Sequence, residues 1–132
     1  MPGLYKDEGI VLRTVKLGEA DRILTVYTVH GGKISAVAKG VRKTKSRFGG
    51  RLEPFSRLEL MLYSGRNLDT ITAAHLLDSH KEARSDLTRL SAAAAVCELV
   101  DKITPDNESS RTVYELLVGG LDAASRLSLI HI

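Results

Sequence analysis

The stretch DRILTVYTVHGGKISAVAK, residues 21 to 39, has the pattern of a β-hairpin and decides the fold class. On both sides of His30-Gly31-Gly32, β-branched and apolar residues alternate in the two-residue period of a strand. Glycine accepts positive φ without penalty, so His30-Gly31-Gly32 predicts a tight turn. Two strands are therefore expected, over residues 21 to 29 and 33 to 39.

Three further segments read as strands separated by glycine-containing or polar turns. Residues 9 to 15 (GIVLRTV) precede the hairpin, and residues 55 to 63 (FSRLELMLY) and 68 to 75 (LDTITAAH) follow it. A sandwich would usually need about seven strands. Five antiparallel strands with one longer connection therefore favour a small closed barrel.

After Ser79 the hydrophobic period becomes helical. Ser79 and Glu82 stand three apart, as in a capping box, and Pro105 ends the pattern because proline cannot continue a helix. The positions with helical spacing are Leu87, Leu90, Ala94, Cys97 and then Val100 or Asp101.

A second helix is expected to begin near Ser109 or Ser110, with Val113, Leu116, Leu117 and Leu121 on one face. Residues 92 to 100 (AAAAVCELV) are apolar around almost the whole helix, so the first helix should need neighbours on several sides, including another copy of the chain. The pattern predicts a barrel unit over residues 1 to 79, the beginning of a helical domain over 80 to 126, and a non-native tail over 127 to 132.

Composition limits the class of protein. Cys97 is the single cysteine, which excludes an internal disulfide and a multi-cysteine metal site within this chain and suits a reducing cytoplasm. No apolar run approaches the roughly 20 residues of a membrane span, and the N-terminus lacks the apolar core of a secretory signal. We expect a cytoplasmic protein without membrane association.

Catalysis has little support in the sequence. The four histidines form no ligand spacing with each other or with nearby carboxylates, Cys97 lies in an apolar helix, and Gly32-Lys33 lacks the upstream glycine and the Ser/Thr of a phosphate loop. We therefore expect no catalytic residue, no metal and no cofactor.

The segment KGVRKTKSRFGGR, residues 39 to 51, is the main indication of function. It contains six cations, one aromatic residue and no acid. Residues 1 to 80 carry 13 Lys and Arg against 8 Asp and Glu, whereas residues 81 to 132 carry 6 against 8. An acid-free basic segment between strands indicates a polyanionic partner such as nucleic acid, or alternatively a solvated loop.

The order of motifs resembles the bacterial recombination mediator family RecO. The resemblance rests on the GIVL strand, the GEADRI turn, the HGGK hairpin, the AKGVRKTKSR segment and Glu53-Pro54-Phe55. The helical stretch LSAAAAVCELVDKITPDNESSRTVYELL resembles the first helices of the same family's second domain.

The resemblance implies a five-stranded OB-fold (oligonucleotide-binding) barrel followed by the beginning of an α-helical domain. It further implies binding of single- and double-stranded DNA, annealing of complementary strands, a nucleoid-associated location, and loading of recombinase onto DNA coated by single-stranded-DNA-binding protein, with RecR as partner. RecO proteins are longer, and many carry a four-cysteine zinc module. With one cysteine here, we do not transfer zinc to this chain.

The basic segment would line a phosphate-binding groove, with Phe48 either stacking on a base or packing against the barrel. The alternative hypothesis is an adaptor whose basic surface binds acidic peptides, such as the tail of single-stranded-DNA-binding protein. The cations of the segment are Lys39, Arg42, Lys43, Lys45, Arg47 and Arg51, and the expected extension of the groove comprises Arg13, Lys16, Arg22 and Lys33.

Overall fold

The computed structural model describes residues 3 to 43, 46 and 48 to 127. Over these residues it confirms five strands followed by helices. The elements are β1 (Leu4–Leu17), β2 (Asp21–Thr28), β3 (Gly32–Ala38), β4 (Arg57–Tyr63), β5 (Asp69–Asp78), a 3-10 turn (Lys81–Arg84), α1 (Leu87–Ile103) and α2 (Arg111–Ser125).

The strands form a closed barrel in the order β1-β2-β3-β5-β4, with β4 returning to β1. The closing pair of β3 and β5 is parallel and short, with Ala36 opposite Asp69 and Val37 opposite Thr70. The other pairings are antiparallel. The expected closed barrel is confirmed, but an entirely antiparallel sheet was wrong, because the chain must cross from β3 to the other edge before it can close the barrel.

β1 is buried on both of its faces. Ile10, Val11 and Leu12 are all buried, although side chains of consecutive strand residues point to opposite faces. A bulge between Val11 and Arg13 lies in the pairing with β2. The inner face of β1 fills the barrel, and the outer face packs against the helices.

Two apolar clusters result from this arrangement. The inner cluster contains Val11, Leu24, Val26, Ala36, Ala38, Phe48, Leu52, Leu58, Leu60, Leu62 and Ile71. The outer cluster joins the barrel to the helices and contains Ile10, Leu12, Tyr27, Phe55, Ala83, Ala93, Cys97, Val100, Tyr114, Leu117, Leu121 and Ala124.

Each α-helix begins at a residue whose side chain accepts a hydrogen bond from a backbone amide of the first turn. The first helix begins later than expected. Asp86 caps α1 by accepting from the amide of Arg89 at 2.9 Å, and Ser110 caps α2 by accepting from Val113 at 3.2 Å. The capping box at Ser79 was wrong. His80 adopts a left-handed φ of 50°, which interrupts a helix, so only a 3-10 turn forms before α1.

The predicted helix faces were partly wrong. Leu87 and Leu116 are 76% and 68% exposed, and Leu90 is also exposed, whereas Cys97 and Leu117 are buried as expected. The helices meet at Gly120, where an added Cβ would lie 3.0 Å from Val96 Cγ1. The buried face of α1 instead carries Ala93, Cys97 and Val100.

The rest of α1 also exposes apolar side chains, including Leu99 and Ile103. Neither α1 nor α2 is long and apolar enough to cross a membrane, and this holds for the described part of the chain.

The connection between α1 and α2 docks on the start of β3. The amide of Asn107 donates to the carbonyl of Lys33 at 2.9 Å, and Asp106 forms a parallel bridge with Lys33. Gly32 lies beneath the backbone of Glu108, with φ at 69°. This close approach is possible only without a side chain at position 32.

Substitution Gly32→Ala should therefore destabilise the protein far more than Gly18→Ala. Both glycines have positive φ, which costs about 1–2 kcal/mol in any L-residue. A Cβ at Gly32 would also collide with the Glu108 backbone, whereas nothing lies within 4 Å of one at Gly18. Urea unfolding measures the difference, and equal losses in the two variants would contradict the close docking.

Candidate nucleic-acid interface

The C-terminal part of the basic segment is anchored in the barrel. Phe48 is 1% exposed and, with Leu52, belongs to the inner cluster. The amide of Phe48 donates to Ser46 Oγ at 3.1 Å. Of the two alternatives for Phe48, the structure contains the packed one, and its ring presents no face on which a base could stack.

The N-terminal part of the segment is held by the β1–β2 turn. The amide of Gly40 donates to Asp21 Oδ1 at 2.7 Å. The amide of Arg42 donates to the carbonyl of Ala20 at 2.9 Å, and its guanidinium donates to that of Gly18 at 2.8 Å. These contacts order the beginning of the segment against the barrel.

Cations from three parts of the chain come together beside this turn. Lys16 on β1 and Arg22 on β2 are directly paired, and Arg22 is paired in turn with Ala38, which precedes Lys39. We call this surface the basic end. Its members are Lys16, Arg22, Lys39, Arg42 and Lys43.

The cations of the basic end remain accessible to different degrees. Lys16, Lys39 and Lys43 are exposed, whereas Arg22 is half-buried and donates to Thr14 Oγ1 at 2.9 Å. Two acids lie in or next to the β1–β2 turn: Glu19, which is exposed, and Asp21, which is half-buried. Cations outnumber acids there, so the surface carries net positive charge.

The other cations of the basic segment are distributed differently. Arg51 donates from Nη1 to the carbonyl of Ala74 on β5 at 2.9 Å, which ties the end of the segment to that strand. Lys45 and Arg47 lie outside the described residues.

Arg13 and Lys33, which the sequence assigned to the groove, both bind one carboxylate on α1. Arg13 Nε lies 2.7 Å from Asp101 Oδ2, and Lys33 Nζ lies 3.3 Å from Asp101 Oδ1 and 2.5 Å from its carbonyl oxygen. Burial acts to raise the pKa of Asp101, but the hydrogen bonds and charges of Arg13 and Lys33 outweigh burial and lower the pKa. These two cations hold α1 against the barrel.

A second polar network also joins the barrel to the helices. Glu8 Oε2 accepts from Arg57 Nε at 3.0 Å and from the Tyr114 hydroxyl at 2.7 Å. Burial and the hydrogen bond to Glu8 raise the pKa of Tyr114. The sequence contained no local signal for Glu8, Tyr114 or Asp101, because their partners are distant in the chain.

Cys97 and His30 are both held in the fold by packing or by hydrogen bonds. Cys97 is buried between barrel and helices, as expected, and burial followed by the charge of Asp101 raises its pKa to about 12. His30 lies in the β2–β3 turn, where Asp7 accepts from the amides of His30 and Gly31 at 3.1 Å. A thiol with this pKa is a poor nucleophile.

Phe48→Ala should lower the free energy of unfolding by about 3–5 kcal/mol, as expected for truncating a buried aromatic residue. Phe48→Leu should cost less, because it leaves a smaller cavity, and it should bind single-stranded DNA as the parent does. Urea unfolding and fluorescence anisotropy measure the two properties. A stable Phe48→Leu protein with strongly reduced DNA affinity would show that the ring contacts bases.

Asp101→Asn should lower the free energy of unfolding at neutral pH by about 2 kcal/mol, the range for hydrogen bonds to charged groups. Because the folded-state pKa of Asp101 is lowered, its contribution is full above the unfolded value of 3.8 and is lost as pH falls through the folded value. The free energies of unfolding of the parent protein and of Asp101→Asn, plotted against pH, should therefore converge below about pH 4. Asp106→Asn, at an exposed carboxylate 3.8 Å from Lys33, is the control and should change little.

Comparison with known proteins covers almost the whole chain. The family model described as "Recombination protein O N terminal" matches residues 1–80, and the one described as "Recombination protein O C terminal" matches residues 84–127.

Curated relatives named "DNA repair protein RecO" are identical to this chain at about half of the aligned positions. The protein from Bifidobacterium adolescentis is 49% identical over 125 residues, covering 93% of this chain and 51% of the relative. Those from Nocardioides sp. and Rubrobacter xylanophilus are 52% and 48% identical, covering 91% and 93% of this chain and 50% and 49% of the relatives. The chain thus spans about half the length of the curated relatives it matches. With the closed barrel, the following helices and both family models in agreement, the chain belongs to the RecO family.

Proposed function

We propose that this chain is a non-catalytic DNA-binding unit of recombinational repair that binds DNA phosphates through the basic end. The observation that carries the proposal is the meeting of cations from β1, β2 and the β3–β4 connection beside one turn. A surface with this excess of positive charge attracts the DNA backbone and releases its counterions on binding.

Binding through phosphates has a consequence for specificity. The members of the basic end are lysines and arginines on an ordered surface, and Phe48 is buried away from it. Phosphate contacts position a protein on DNA but do not read base sequence. The proposed unit therefore binds single- and double-stranded DNA with weak sequence preference.

Annealing of complementary strands is the activity that best fits such binding. Phosphate contacts neutralise the repulsion between two strands and leave the base edges free to pair. We propose this activity for the chain, together with the loading of recombinase on DNA coated by single-stranded-DNA-binding protein and with RecR as partner. Support comes from family membership and from relatives named as DNA repair proteins.

The second candidate function is binding of an acidic peptide, such as the tail of single-stranded-DNA-binding protein. The same observation supports it, because exposed Lys16, Lys39 and Lys43 would attract carboxylates as they attract phosphates. The two functions share a surface, so competition between peptide and DNA distinguishes shared from separate binding.

Reversal of Lys16, Lys39 and Lys43 to Glu should abolish most single-stranded DNA binding. If each lysine neutralises one phosphate, the logarithmic salt slope should fall by about 2, since each contact contributes about 0.7 for single strands. Fluorescence anisotropy with a labelled oligonucleotide across a salt series measures both. An acidic peptide should displace the oligonucleotide from the unsubstituted protein.

The matched control reverses Lys81, Lys102 and Arg126, three exposed cations outside the barrel, and makes the same change in net charge. This control should retain most of the affinity and the original slope. Equal losses in the two triple variants would mean that net charge, not the basic end, determines binding.

A further inference from the structure

Three side chains that can act as metal ligands lie close together where the last strand of the barrel ends beside α2. Asp78 is the last residue of β5, His80 lies in the following connection, and Asp122 lies on α2. One donor atom from each lies within 4.8 Å of the others. The cluster therefore connects the barrel, the connection and the second helix.

The hydrogen bonding of His80 determines which ring nitrogen carries its proton. His80 Nδ1 lies 2.7 Å from the carbonyl oxygen of Phe55, and a carbonyl oxygen can only accept a hydrogen bond. Nδ1 must therefore be the protonated nitrogen. In the neutral ring, Nε2 then carries a lone pair and no hydrogen.

That lone pair faces the carboxylate of Asp122, and the carboxylate of Asp78 lies nearby. Nε2 lies 3.2 Å from Asp122 Oδ1 and 3.5 Å from Asp78 Oδ2, and the His80 side chain is 2% exposed. Three electron-rich atoms face one another, and the buried nitrogen has no donor among them. Their mutual repulsion is relieved by a metal ion placed between them, by a second ring proton, or by a proton on one of the two carboxyl groups.

The two distances from the ring nitrogen to the carboxylate oxygens suit a tetrahedral ion. Two ligands bound about 2.1 Å from zinc at a tetrahedral angle lie about 3.4 Å apart. The two nitrogen-to-oxygen distances, 3.2 and 3.5 Å, lie on either side of this value. The carbonyl of Phe55 would fix the ring as outer partners of metal-bound histidines usually do.

We propose that Asp78, His80 and Asp122 bind one divalent transition-metal ion of the zinc class. An imidazole nitrogen with two carboxylate oxygens favours zinc over magnesium, which prefers oxygen ligands alone. The carboxylates of Asp78 and Asp122 are 50% and 43% exposed, so water can complete the coordination and the ion can enter. The bound ion would link the end of β5 to α2 and stabilise the joint between barrel and helices.

The test is a titration of the 132-residue protein, freed of metal by a chelator, with Zn²⁺ and separately with Mg²⁺. Calorimetry should give one Zn²⁺ per chain, the unfolding temperature should rise with Zn²⁺, and Mg²⁺ should do neither. Co²⁺ should give the visible absorption of a tetrahedral site.

Asp122→Asn keeps the shape of the side chain, and it should weaken Zn²⁺ binding at least about tenfold. Glu115→Gln removes one charge from an exposed position on the same helix and should leave the affinity unchanged. Circular dichroism verifies that both variants fold.

Absence of Zn²⁺ binding by the unsubstituted protein would overturn the proposal and leave a proton, on the His80 ring or on one of the two carboxyl groups, in place of the metal ion. Equal Zn²⁺ affinity in Asp122→Asn and the parent would place any metal elsewhere and would also overturn it.

Discussion

Burial of β1 on both faces is the constraint on which the rest of the molecule depends. Val11 faces the barrel interior while Ile10 and Leu12 pack toward the helices, so one strand belongs to both apolar clusters. The chain also returns to β1 just before β4. There the amide of Val11 donates to the carbonyl of Ser56 at 3.1 Å, and the amide of Phe55 donates to the carbonyl of Val11 at 2.9 Å. Barrel and helices therefore share a wall.

Because the helices pack on one side of the barrel, the cations of the barrel fall into two groups. The outer face of β1 and β2 packs against the helices, and the adjoining cations Arg13 and Lys33 are both ion-paired with Asp101 on α1. The exposed cations Lys16, Lys39 and Lys43 lie beside the β1–β2 turn, where Asp21 holds the beginning of the basic segment. Phe48 anchors the later part of the segment in the inner cluster. Charge of the same sign thus stabilises the fold in one place and remains available for a polyanion in another.

The attachment of the basic segment to the barrel opposes the repulsion between its own charges. Six cations in thirteen residues repel one another, so an unattached segment would extend into solvent. Burial of Phe48 and Leu52 in the inner cluster, together with the hydrogen bonds of Gly40 and Arg42, opposes that repulsion. In the proposed function, DNA meets a segment that is already attached to the barrel through Gly40, Arg42 and Phe48, which reduces the entropy lost on binding.

The sequence by itself determined the presence of five strands, the tight turn at His30, the end of α1 before Pro105, the beginning of α2 near Ser109 or Ser110, and the burial of Cys97. All of these follow from periodicity, turn residues or capping groups within a few positions of each other, and such signals are local. The single acid-free segment likewise identified most of the basic end, including Lys39, Arg42 and Lys43.

Only the tertiary structure decided which of these residues can meet a partner. Arg13 and Asp101 are 88 positions apart, and His80 and Asp122 are 42 apart, so no local pattern could pair them. The exposure of Leu87 and Leu116 depended on which faces of α1 and α2 pack against the barrel and against each other, which periodicity within one helix does not contain. Phe48 was ambiguous for the same reason, because a lone aromatic in a basic loop is equally suited to a base or to a core until packing places it. Charge and hydrophobicity are properties of residues, whereas neutralisation, exposure and coordination are properties of the neighbours that folding brings to them.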